Sequence, residues 1–206
     1  PDIDRDGGRA HLGAIAERAQ VAGSYLWIDM EQSPYVDVTL ELTEELRRTF
    51  PGIGVCLQAY LRRTRDDLKR MLAIGAGVRL VKGAYREPPS VALAVKREVD
   101  DNYLALGRMM LDDKARGGAS RPVFGTHDTT IIAALCQHAR ETRLTPGQYE
   151  FHLLYGIQRA EQLRLAQARE HIRVLIAYGT YWFPWYMRRL AERPANVWFV
   201  VKSLVT

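Results

Sequence analysis

Two pairs of cations are the groups in this sequence best suited to hold an anion: Arg79 with Lys82, and Arg188 with Arg189. Residues 78–87, VRLVKGAYRE, set Arg79 and Lys82 inside a run that otherwise reads as a buried strand. A cation taken out of water costs several kcal/mol unless a counter-charge meets it. Each therefore calls for an anionic, acceptor-rich ligand or a core carboxylate such as Asp29. Gly83 and Ala84 follow directly and leave the backbone open to close approach by a ligand. Strand alternation puts Arg79 and Lys82 on opposite faces unless the strand ends or bulges between them. Arg188 and Arg189 lie in residues 181–192, YWFPWYMRRLAE. Paired guanidinium groups can grip a small carboxylate with two parallel charge-assisted hydrogen bonds. Glu192 is spaced to orient one of them from the same helix face, and the same residues also suit a solvated Arg/Glu patch. Tyr186 beside the arginines adds an aromatic surface against which an apolar ring can pack.

Other candidates close other apolar runs. Asp29 in WIDMEQS either fixes Arg79 or the ligand site, or serves as a turn or helix-start acid. Gln58 in VCLQAY is an amide at a buried strand end, where it meets either a ligand's ring edge or the backbone. FGTHD brings Thr126 and His127 to a strand end, with Asp128 placed to cap the next helix. His127 is either a ligand contact or a histidine satisfied within the structure. No other histidine stands at metal-ligand spacing to it, and Cys56 and Cys136 form no CxxC pair, so no metal centre is expected. The free thiols suit a reducing compartment. GxSxG, P-loop and GxGxxG motifs are missing from the sequence.

These residues need a scaffold that gathers several strand ends. Apolar runs at 25–30, 54–60, 78–84, 122–127, 149–154 and 172–178 read as strands. Between them, Val38/Leu42/Leu46, Leu68/Met71/Leu72 and Ile132/Leu135/Cys136/Ala139 fall at helical spacing. A long helix is expected between the Pro88-Pro89 break and Arg116. Strands apolar on both faces that alternate with helices imply a parallel α/β sheet. Both doubly wound sheets and barrels carry that pattern. Chemical residues ending several different strands favour a (β/α)8 TIM-type barrel, whose site collects the C-terminal ends of all its strands. About six βα units are visible, and the sequence opens in a helix phased by Leu12, Ile15, Ala16 and Ala19. One domain over residues 1–206 is expected, lacking the N-terminal part of the barrel.

Length and composition agree with one core: 206 residues, 47% of them apolar. Basic residues number 29 against 24 acidic, a net charge of +5, but they are scattered and form no nucleic-acid stripe or motif. No apolar stretch reaches the roughly 18 to 20 residues that span a bilayer, and no signal-peptide layout opens the sequence. A cytoplasmic protein is expected, at most peripheral at the inner membrane.

In order, IDMEQSPY, VCLQAYLRRT, VRLVKGAYREP, GTHD, EFHLLYGI and YMRRLAERPAN resemble successive strand-end segments of the proline dehydrogenase family. The resemblance runs from about residue 24 to 204. It implies a distorted β/α barrel that binds FAD at the C-terminal strand ends and oxidises L-proline to Δ1-pyrroline-5-carboxylate by hydride transfer to flavin N5. Under it, Arg79 sits near N5 with Asp29 as its acidic companion. Met30, Gln58, Val81, Lys82, Gly83, Ala84, Thr126 and His127 match cofactor-contacting positions. Arg188 and Arg189 match the pair that holds the proline carboxylate, while Tyr85, Leu154 and Tyr186 match walls of the substrate pocket. The family's usual acceptor is a membrane quinone, which implies a transient membrane contact. Two departures stand out: the family's first-strand lysine has no counterpart, and Leu175 occupies a usual tyrosine position, with Tyr178 nearby. The competing readings are a flavin barrel of the methylenetetrahydrofolate reductase type and an inactive ligand-binding barrel fragment.

Overall fold

The computed structural model describes residues 4–180, together with 182 and 184. Six strands alternate with helices: β1 (Leu26–Ile28), β2 (Ile53–Gln58), β3 (Gly77–Val81), β4 (Arg121–Gly125), β5 (Glu150–Leu154) and β6 (Ile172–Leu175). The helices are α1 (Arg5–Val21), α2 (Val36–Arg47), α3 (Thr64–Ala73), α4 (Lys96–Ala115), α5 (Thr129–Glu141) and α6 (Arg159–Gln167). The strands pair in sequence order and every pairing is parallel. Helical crossovers make this possible, because parallel neighbours cannot be joined by tight turns.

The sheet is curled. Trp27 on β1 and His152 on β5 stand four strands apart, about 19 Å in a flat sheet at the usual strand spacing. Their ring centroids are 5.8 Å apart. The Arg121 guanidinium of β4 also reaches across, at 4.5 Å from the ring centroid of Tyr25, just before β1, and 5.9 Å from that of Trp27 on β1. Six strands thus wrap into a partial barrel whose concave face carries Trp27, Arg79, Arg121 and His152. Gly54 permits the close approach inside: a Cβ there would fall 2.6 Å from the Trp27 ring.

The core fills the layer between sheet and helices. Leu40, Val55, Leu68, Met71, Val78, Leu80, Leu106, Met110, Phe124, Ile132, Leu135 and Phe151 are buried within it. At about 1.5–3 kcal/mol per buried large apolar side chain, this layer is the main stabilising term. Local signals set the boundaries. Asp128 caps α5 by accepting from the backbone N–H groups of Thr130 and Ile131, and Asp4 caps α1 by accepting from Gly7 N at 2.8 Å.

Three expectations need correction. The strands stop short of several apolar runs, and β3 ends at Val81, so Lys82 lies beyond the pleat. The deepest face of α2 is Val36, Leu40, Thr43 and Leu46, while Val38 and Leu42 turn toward α1, where they line a small crevice with Asp6 and Arg9. Ile15 of α1 is half exposed, because this helix covers the sheet chiefly through Ala16. Among the described residues, no helix is long and apolar enough to cross a membrane.

Candidate active site

An open cleft of about 2270 Å³ runs along the concave face of the sheet. Strand ends deliver the nominated residues to it. Asp29 and Met30 follow β1, Gln58 ends β2, and Arg79 and Val81 belong to β3 with Lys82, Gly83, Ala84 and Tyr85 beyond it. Thr126 and His127 follow β4, and Leu154 ends β5. Arg188, Arg189 and Tyr186 lie outside the described residues.

Arg79 projects into the cleft from the middle of β3. Its Nη2 donates to Asp29 Oδ1, and its guanidinium carbon sits 5.4 Å from the Trp27 ring centroid. The Asp29 side chain is 72% exposed against 21% for Arg79, so the acid meets solvent while the cation is held below it. Lys82 is fixed from another direction. Its Nζ stands 2.5 Å from Asp100 Oδ1 on α4 and 2.9 Å from Asp128 Oδ2 at the start of α5. Burial works to raise both carboxyl pKa values, but the Lys82 hydrogen bonds and charge, joined at Asp100 by those of Lys96, prevail and hold both below the usual range.

Gln58 is almost wholly buried, and its Nε2 donates to Met30 O at 3.3 Å. That donation fixes the amide's orientation and leaves Oε1 buried with no hydrogen-bond partner among the described residues. His127 Nε2 accepts from Leu154 N at 2.9 Å, which places the proton of a neutral ring on Nδ1. Thr126 Oγ1 accepts from Asp128 N at 3.2 Å. Gly83 has φ +111° and passes over the Tyr60 ring so closely that a Cβ would fall 2.2 Å from Tyr60 Cδ1. The Tyr85 hydroxyl donates to Glu31 Oε2.

Sequence reasoning missed a second layer beneath these groups. Glu150, 2% exposed, receives Arg121 Nε and, at 2.7 Å, Arg173 Nε, with His152 Nε2 at 3.4 Å. Burial opposes its ionisation, yet His152, Arg121 and Arg173 hold the carboxyl far below its ordinary range. Polar residues two apart inside β5, Glu150 and His152, were the available signal: alternation puts both on one face. Asp100 carried no comparable mark, since it reaches Lys82 from a helix 18 residues away in sequence.

Parallel β/α units curled into a partial barrel, with a cleft at the carboxyl ends of the strands, define the class of α/β barrel proteins whose sites are built from βα loops. The sequence matches the family model for proline dehydrogenase over residues 8–202. It is 36% identical to Proline dehydrogenase 1 of Bacillus subtilis (strain 168) over 204 residues, covering 99% of this chain and 66% of that protein. Proline dehydrogenase of Deinococcus radiodurans is 35% identical over 202 residues, covering 97% of this chain and 64% of the relative. Among solved structures, proline utilization A (PutA) from Bdellovibrio bacteriovorus inactivated by N-propargylglycine superposes with a TM-score of 0.80 at 25% identity. That match covers 88% of this chain and 21% of the other. The chain belongs to the proline dehydrogenase family, and it spans about two thirds of the length of these Bacillus and Deinococcus relatives.

Proposed function

We infer that this chain carries the catalytic cleft of an FAD-dependent enzyme that oxidises L-proline to Δ1-pyrroline-5-carboxylate. The observation that carries the reading is a buried, fixed and unpartnered amide oxygen, Gln58 Oε1, in the same cleft as the tethered Arg79 cation. An accepting oxygen in that position suits the imide N–H at the pyrimidine edge of a flavin. The Gly83-Ala84 backbone, bare of large side chains, suits close approach of the same ligand. Met30, Gln58, Val81, Lys82, Gly83, Ala84, Thr126 and His127 would hold the cofactor. Bound flavin would supply the two-electron acceptor, taking a hydride from the proline ring carbon at N5.

The chain's own groups do the rest. Arg79, set by Asp29 and the Trp27 face, keeps a cation in the cleft where negative charge develops during electron transfer. Arg188 and Arg189 grip the proline carboxylate, and Tyr85, Leu154 and Tyr186 press the ring into position. Val81 and Leu154 make the cleft wall apolar, which disfavours a charged ring nitrogen and so favours the neutral amine from which hydride leaves. Asp29 serves by orienting Arg79. By the family resemblance, electrons then pass to a membrane quinone, with the protein cytoplasmic and touching the membrane transiently.

The test is a visible spectrum of the purified protein before and after L-proline is added. A flavin band that bleaches with proline supports the reading; a protein without that band, or with one indifferent to proline, refutes it.

A further inference from the structure

The loop after β3 is tied across the end of β2 to the loop after β1 by two rungs of side-chain hydrogen bonds. On one rung, Tyr85 donates its hydroxyl to Glu31 Oε2. Two residues on along both loops, the Glu87 carboxylate accepts from Ser33 on both of its oxygens. Ser33 N donates to Oε1 at 2.7 Å and Ser33 Oγ to Oε2 at 2.7 Å. Each loop thus contributes one carboxylate and one donor residue, 54 positions apart in sequence. A charge-assisted, two-point contact of this length is at the strong end of protein hydrogen bonds. Further along, the loop is anchored at its root: Leu93 N donates to Tyr60 O at 2.8 Å and Arg62 N to Val91 O at 2.9 Å. On the other side of the rungs, Gly83 is draped over the Tyr60 ring. The stretch that carries Tyr85 is therefore held at both ends. Burial, with the nearby Glu87 charge adding to it, pushes the Tyr60 phenol up to about 12, which keeps the side chain beneath the loop neutral.

We propose that Glu87, acting through Ser33, is a positioning residue for the Tyr85 wall, and that this clasp sets substrate affinity while leaving the chemical step alone. The proposal rests on the reading of the cleft as a proline site. Glu87 does not line the cleft, whereas Tyr85 and Glu31 do, so Glu87 reaches the substrate only by holding Tyr85. Releasing the clasp lets the wall swing away from the ring, which weakens binding in ground and transition states alike. A loss of that kind appears in KM with kcat preserved.

The experiment compares the flavin-loaded full-length protein with Glu87→Gln, Ser33→Ala, their double variant and Ser33→Thr. Glu87→Gln and Ser33→Ala should each raise the KM for proline by roughly tenfold, with kcat within about twofold of wild type. The double variant should add little to either single change, and Ser33→Thr, which keeps the hydroxyl, should stay close to wild type. A second readout is independent of turnover. Exposed Arg86 lies between the two rungs, so trypsin should cut after it faster in Glu87→Gln than in wild type. Unchanged KM in both single variants, or an equal fall in kcat with KM constant, overturns the proposal, as does unaltered cleavage at Arg86. Failure of the underlying reading is distinct: the wild-type protein itself would then leave proline unoxidised, and the proposal would fall with it.

Discussion

Replacing Lys82 with Met isolates one electrostatic contact of the cleft rim. The Lys82 ammonium is 14% exposed and lies between Asp100 and Asp128, whose side chains are 20% and 25% exposed. Methionine keeps the length and the apolar stem but removes the charge, leaving two mostly buried carboxylates with only the exposed Lys96 beside them. Breaking a buried pair by deleting one partner costs about 3–5 kcal/mol. The residual exposure here lowers the expectation to about 2–3 kcal/mol, equivalent to a fall of roughly 4–12 °C in Tm for a chain of this size. The pH dependence supplies the diagnostic. Lys82, with Lys96 adding to it at Asp100, holds both carboxyl groups below their ordinary range, so its contribution is fully present above the unfolded carboxylate value, about 4. It is lost as pH falls through the lower folded values. Urea unfolding of wild type and variant, without flavin, should therefore show the full gap near neutrality and a shrinking gap as pH drops below about 4. A gap under about 0.5 kcal/mol at neutral pH, or one unchanged in acid, would refute the triad as a stabilising contact. Lys82 would then be free to act on the cofactor alone.

Gly83→Ala should lower both Tm and retained flavin: the positive φ costs about 1–2 kcal/mol, and the new Cβ meets the Tyr60 ring at 2.2 Å. Thermal melts and the ratio of flavin to protein absorbance check it. Tyr60 ionises only at about 12, and burial is the main cause. Stability linked to it is complete below the unfolded tyrosine value near 10 and declines as pH climbs toward the folded value, observable by ultraviolet titration alongside unfolding. Glu150→Gln removes the counter-charge of the partly buried Arg121 and of Arg173. With Arg173 58% exposed, a loss of about 2 kcal/mol is expected by denaturant unfolding. Arg188→Lys should weaken proline affinity by removing the bidentate grip while flavin content stays constant, read by proline titration of the flavin spectrum.

Much of the architecture was legible in one dimension. Runs such as IGVCLQ and GVRLV are apolar on both faces because both faces of a parallel sheet are covered, and helical spacing between them marks the crossovers. These are local signals, repeated along the chain, and they set the number and order of the strands. Candidate residues were legible for the same reason: a charge or amide inside such a run, as at Arg79 or Gln58, is costly enough to need a partner.

Partner identity was not legible. Whether Arg79 met Asp29 or a ligand depended on how β1 and β3 splay around β2, and Asp100 reached Lys82 from a helix that sequence alone places nowhere in particular. The resting place of Lys82 turned on the last paired residue of β3. Hydrogen-bond register settles that point, and composition does not. The Glu150 cluster exists because parallel pairing sets β4 and β6 on either side of β5, and the Glu87–Ser33 clasp exists because loop closure brings residue 33 to residue 87. Spacing along a chain reports which face a side chain takes. Only the curled sheet determines which other faces it meets.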